Sequence, residues 1–183
     1  TWVQRTAQGV APANAATARI QMIHLNNNAN VTGQPGGSVF WDDASLTGPG
    51  SSPPPADQEL LTNESYELPD ASGGDIGCSF SWECFNSNFT SSNLFDDSNG
   101  APAARTGTQV LKQFDDDGGA FQDVPATPGE TYTASAWAQS WSGDPLNRVV
   151  LLQLFFLDSA GNNISGGFTP FAQEAGSPVD GGA

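Results

Sequence analysis

Apolar residues in this chain recur at every second position, a period that belongs to an extended strand and not to a helix. In Thr131-Tyr132-Thr133-Ala134-Ser135-Ala136-Trp137-Ala138-Gln139, the residues Tyr132, Ala134, Ala136 and Ala138 share one face. Thr133, Ser135, Trp137 and Gln139 share the other. The small apolar face is therefore expected to pack inward, with the Trp137 ring outward among amides and hydroxyls. Residues 17–25 repeat the pattern, aligning Ala18, Ile20, Met22 and His24. Strands also read over 37–46, 109–114 and 120–124. The stretch from Arg148 to Asp158 is apolar on both faces, as a central strand is, and its one polar interruption, Gln153, lies on the face of Val149, Leu151 and Phe155. Turns read at Pro125-Ala126-Thr127-Pro128-Gly129-Glu130 and at Asp158-Ser159-Ala160-Gly161-Asn162-Asn163. No segment sustains a helical period. The expected fold class is all-β, an antiparallel β-sandwich.

The length, 183 residues, suits one domain, and five Trp with eleven Phe supply a core. Charge is lopsided, with 20 acidic against 5 basic residues and a net charge of −15. Such a field repels nucleic acid and anionic membranes, so neither is an expected partner. The acidity suits solubility in an exposed or salty setting, or in part calcium, which prefers oxygen ligands. Asp115-Asp116-Asp117-Gly118-Gly119 lacks the ligand spacing of a calcium helix-loop-helix and reads as a solvated turn. Cys78 and Cys84 stand close enough for a small disulfide loop, which is favoured over free thiols and implies an oxidising compartment. Zinc is disfavoured, because His24 is the one additional soft ligand. Val149-Val150-Leu151-Leu152 is interrupted by Gln153, so no apolar run is long enough to insert in a membrane, and no signal peptide reads at the start. The expected location is secreted, extracellular or cell-surface.

Gly48-Pro49-Gly50-Ser51-Ser52-Pro53-Pro54-Pro55-Ala56-Asp57-Gln58 reads as a linker between residues 1–47 and 59–183. On either side of it, four segments carry a resemblance. Leu60-Leu61-Thr62-Asn63-Glu64-Ser65-Tyr66-Glu67 resembles the opening strand of the jelly-roll, galactose-binding-like carbohydrate-binding modules attached to xylanases and glucanases. Residues 129–137 resemble their central strand, 156–164 the next hairpin, and 39–46 the final strand. The order departs from that family, since its closing strands come first here. The halves could be circularly permuted, could belong to adjacent repeats of a tandem array, or could be exchanged with a neighbour by strand donation. Closure within one chain is preferred, because about eleven linker residues reach roughly 35 Å when extended.

The resemblance implies a structural calcium where opening and closing strands meet. Carried over by position, its ligands are Glu67, one of Asp42 and Asp43, and Asn63 or a nearby carbonyl. It also implies a sugar cleft. The candidates are Trp137, Gln139 and Gln153, joined by Trp141, Trp82 and Gln21, because rings stack on pyranose faces and amides satisfy hydroxyls. The competing reading packs Trp137 under a loop and places Trp2 and Trp41 in the core. His24 reads as an interior or rim residue, and the chain holds no second His, no Gly-x-Ser-x-Gly elbow and no phosphate loop, so no catalysis is expected. Asn30, Asn63, Asn88 and Asn163 open Asn-x-Ser/Thr triplets, a pattern frequent by chance. The expected function is a non-catalytic, calcium-stabilised module for a neutral polysaccharide. The alternative is a structural or adhesive subunit of an extracellular fibre, a homopolymer assembled head-to-tail by strand exchange.

Overall fold

The computed structural model describes residues 1–25, 37–49, 57–68, 78–85, 88–92, 103–114, 117–142, 146 and 149–172. The centre of the expected linker, the Asp115–Asp116 pair, Arg148 and the Asn30 triplet lie outside the described residues. Among the described residues there is no helix. The described residues form eleven strands in two antiparallel sheets: β1 (Val3–Val10), β2 (Thr17–Leu25), β3 (Ser38–Pro49), β4 (Asp57–Glu59), β5 (Glu83–Phe85), β6 (Asn88–Ser92), β7 (Gln109–Phe114), β8 (Gly118–Pro125), β9 (Thr131–Ser140), β10 (Val149–Leu157) and β11 (Asn163–Ala172). Sheet A runs β1-β9-β3-β7-β6, with β4 on the far part of β3; sheet B runs β11-β10-β2-β8-β5. The strands of residues 1–49 find their partners within the same chain. β1 lies beside β9, β2 between β10 and β8, and β3 between β9 and β7.

The period-two pattern decides which side chains enter the core. On β9 the residues Tyr132, Ala134, Ala136 and Ala138 are buried while Thr133, Ser135, Trp137 and Gln139 face out half-covered. On β2 the residues Ala18, Ile20, Met22 and His24 are buried together. One hydrophobic cluster joins these to Trp41, Leu46, Leu111, Leu152, Leu154 and Phe156 from both sheets. Across it the rings of Tyr132 and Phe156 meet edge-on at 5.7 Å. A buried glutamine ties the layers: Trp41 Nε1 donates to Gln113 Oε1 at 3.0 Å, and Gln113 Nε2 donates to the Met22 carbonyl of sheet B at 3.1 Å. Cys78 and Cys84 are bonded, with their Cα atoms 5.5 Å apart.

Two expectations are corrected. The stretch 48–58 is not linker throughout: Gly48 pairs with Gln58 and Pro49 with Asp57, so its ends are a β3–β4 hairpin. Gly48 is there for close packing, not for freedom. A Cβ on it would lie 2.6 Å from the Tyr132 ring and 2.9 Å from Leu60. Gly48→Ala is expected to cost about 1–3 kcal/mol, the usual penalty of overpacking, as read from urea unfolding; an unchanged midpoint would contradict that packing. Residues 60–67, expected as an opening strand, form a tight turn instead. Asn63 and Tyr66 take left-handed backbone angles (φ 57° and 61°), which an extended strand excludes. Asn63 closes the turn by accepting from the Leu68 amide and donating to the carbonyls of Leu68 and Phe80.

Candidate functional site

The outward face of sheet B carries a row of planar polar side chains. β10, β2, β8 and β5 align Gln153 with Gln21, Gln21 with Phe121, and Phe121 with Glu83. One residue pair along, Phe155 lies opposite Arg19 and Arg19 opposite Asp123. Neighbouring strands lie about 4.8 Å apart, so these groups touch. Gln21 Nε2 donates to Gln153 Oε1 at 3.0 Å. Arg19 donates through Nε and a terminal nitrogen to both oxygens of Asp123, at 2.6 and 2.7 Å. Its guanidinium lies 3.8 Å from the Phe121 ring centre and 5.7 Å from that of Phe155. The hydrogen bonds that Arg19 donates to Asp123 raise its pKa, helped by the charges of Asp123 and Glu83 against the cost of burial. Each planar group is thus held by another, which removes side-chain freedom before any ligand arrives.

The outward face of sheet A is built differently. β3 carries a bulge between Asp42 and Ser45, and Asp43 sits in it with φ 44°. The bulge sends both carboxylates toward the segment 105–109. Asp42, wholly buried, accepts from the amides of Arg105 at 2.7 Å, Thr106 at 3.1 Å and Asp43 at 2.8 Å. Asp43 accepts from the Arg105 guanidinium and the Thr106 hydroxyl. Glu67 accepts from the amides of Thr108 and Gln109 and from the Thr108 hydroxyl. Arg105, so held, lies over Trp137 with its guanidinium carbon 3.9 Å from the ring centre. Burial lifts the Asp42 carboxyl to about 6, aided by the charge of Asp43 and opposed by the three amide hydrogen bonds. Burial, and then the charges of Asp42 and Asp43, push the Tyr66 hydroxyl well above 10.

The six residues expected to share a sugar cleft are divided. Gln21 and Gln153 meet on sheet B. Trp137 and Gln139 lie on sheet A, facing the other way. β9 and β10 follow one another in the chain but belong to different layers, so their outward faces point to opposite surfaces. Trp82 is interior, donating Nε1 to the Asn63 carbonyl at 2.9 Å and packing 5.1 Å from Tyr66. Trp141 follows directly on β9, half-buried. Trp41 is in the core and Trp2 is half-exposed.

The expected calcium ligands lie near one another, but their oxygens are engaged by N–H and O–H donors. Asn63 is committed to its own turn, and a cation would have to displace these bonds. Among the described residues no group of three or more His, Cys, Asp or Glu converges on one point. Arg19, Phe121, Asp123, Glu83 and Arg105 were not singled out by sequence reasoning. The usable signal was Arg19 and Gln21 alternating on β2 with the buried Ala18, Ile20 and Met22. No family model matches this chain, and no curated protein or solved structure matches it either.

Proposed function

We propose that this chain is a non-catalytic carbohydrate-binding domain, a permuted jelly roll of the xylanase- and glucanase-associated type, whose ligand face is the outer surface of sheet B. The observation that carries the reading is the Gln21–Gln153 amide pair beside the Arg19–Asp123 ion pair, with Phe155 and Phe121 alongside. Sugar hydroxyls come in vicinal pairs that both donate and accept. Pairing uses one donor and one acceptor of the two amides and leaves Gln21 Oε1 to accept and Gln153 Nε2 to donate. Phe155, half-exposed at the margin, offers apolar surface to a pyranose face. The Cys78–Cys84 disulfide supports a secreted or cell-surface setting, and no described helix is long and apolar enough to cross a membrane. Calcium has no part in this reading, given how the carboxylates of sheet A are used.

Affinity gels with neutral β-glucan, xylan and mannan test it. The double variant Gln21→Ala/Gln153→Ala is expected to weaken retention about tenfold or more, the effect of losing two hydrogen bonds near 1 kcal/mol each. Trp137→Ala, on the other surface, is expected to change retention by less than about twofold. Absence of retention on every neutral gel, or full retention by the double variant, would sink the reading.

A further inference from the structure

We propose that Glu83, presented by the Cys78–Cys84 loop, makes the sheet-B face selective against anionic glycans; this rests on the sugar-binding reading above. A guanidinium on a sugar-binding surface ordinarily recruits carboxylate or sulfate through a two-pronged hydrogen bond. Here Asp123 already takes the two-pronged edge of Arg19 formed by Nε and one terminal nitrogen. Glu83 adds a second negative charge that acts on the same guanidinium. One described cation against two carboxylates leaves the row net negative, within a chain of net charge −15. A uronate or sulfate ester approaching it meets the repulsion of Asp123 and Glu83 and finds the Nε edge of Arg19 occupied. A neutral hydroxyl pair meets neither obstacle.

Glu83 reaches this position by an unusual route. β5 has three residues, paired as Glu83 with Phe121, Cys84 with Ala120, and Phe85 with Gly119. So short an edge strand is weak by itself. Alternation turns Cys84 toward the core, where the disulfide fastens it to Cys78, and turns Glu83 and Phe85 outward. Trp82, immediately before, is anchored on Asn63, and its amide donates to the Ser79 carbonyl. The Phe85 ring lies directly on Gly119 and leaves no room there for a Cβ. The disulfide loop therefore sets where the Glu83 charge stands relative to Arg19.

The test compares binding of a neutral xylan and of polygalacturonate at low salt for wild type, Glu83→Gln, Glu83→Lys and Glu64→Lys. Glu64 is exposed and lies outside the row, so its replacement makes the same change in net charge elsewhere. Wild type is expected to bind xylan and not polygalacturonate. Glu83→Lys is expected to gain polygalacturonate binding by about fivefold or more over Glu64→Lys, with Glu83→Gln between them and xylan binding within about threefold of wild type. Cys78→Ser/Cys84→Ser, which frees β5, is expected to move in the direction of Glu83→Gln. Equal gains from Glu83→Lys and Glu64→Lys, or an unchanged xylan-to-polygalacturonate ratio in every variant, would overturn the inference while leaving the sugar-binding reading intact. A wild type that binds neither polymer nor any other neutral glycan would sink that reading itself, and the inference with it.

Discussion

Gln113→Ala is expected to lower the unfolding free energy by about 3 kcal/mol. Gln113 is wholly buried on the inward face of β7. It accepts from Trp41 Nε1 in its own sheet and donates to the Met22 carbonyl in the other. Alanine takes away both hydrogen bonds within the core and opens a void. A buried polar group stripped of a partner costs about 1–3 kcal/mol, and two are affected together. In a protein of this size the melting midpoint should fall by roughly 10 °C. Gln113→Met keeps the volume, so its remaining deficit against wild type isolates the polar share. Urea unfolding followed by Trp fluorescence measures both variants, and a loss under about 1 kcal/mol would show that the glutamine does not bridge the layers.

Asp42 is expected to give the fold a stability that declines as pH rises from about 4 to about 6. The folded carboxyl titrates at about 6 against an ordinary value of 3.8. The folded state therefore holds this proton more tightly than the unfolded chain does. The contribution is fully present below pH ~4, is lost as pH rises through ~6, and is absent above that. A rise from 3.8 to about 6 corresponds to nearly 3 kcal/mol, which residual solvent screening reduces to on the order of 1–2 kcal/mol. Asp158 runs in the opposite sense. Hydrogen bonds from the Asn162 side chain and amide lower its pKa, so its contribution is present above its ordinary value and is lost in acid. Asp42→Asn separates the two, because only the Asp42 contribution differs between the proteins. Subtracting the variant's melting midpoint from that of wild type, at steps from pH 3.5 to 7.5, should give a difference that falls across pH 4–6 and is level above. A flat difference would mean that the carboxyl titrates normally.

Strands were legible where burial alternates fully. Residues 17–25 and 131–139, read from alternation alone, match β2 and β9 to within one residue, because each has one face in the core. β1 gave a weaker signal. It is an edge strand whose one buried side chain is Ala7, so its apolar residues do not alternate along the strand. The turn at 60–68 was expected as a strand through its resemblance to the opening strand of the carbohydrate-binding modules; within it Leu61 and Tyr66 are buried as strand residues would be. Its left-handed residues are Asn63 and Tyr66, where glycine would have been the warning. The pairing of β3 with β4 at the ends of 48–58 was hidden by Gly and Pro, which read as freedom although Gly48 is packed against a tyrosine.

The candidate site was legible residue by residue but not as a set. Gln21, Gln153, Trp137 and Gln139 do face outward, as alternation requires. Whether two outward residues share a surface depends on which sheet each strand joins, and period-two patterning is silent on that. β10 pairs with β2, more than a hundred residues away, and not with β9. Arg105 lies on a turn before β7, and its position over Trp137 follows from the bulge at Asp43. Such a contact is set by tertiary geometry.

The most direct measurement is residue-resolved mapping of a neutral xylo- or gluco-oligosaccharide titration by backbone and side-chain amide NMR. The sheet-B proposal predicts shifts concentrated at Arg19, Gln21, Phe121, Gln153 and Phe155, with the side-chain amides of both glutamines among the largest. Shifts concentrated at Trp137 and Gln139, or no shifts at millimolar oligosaccharide, would contradict it.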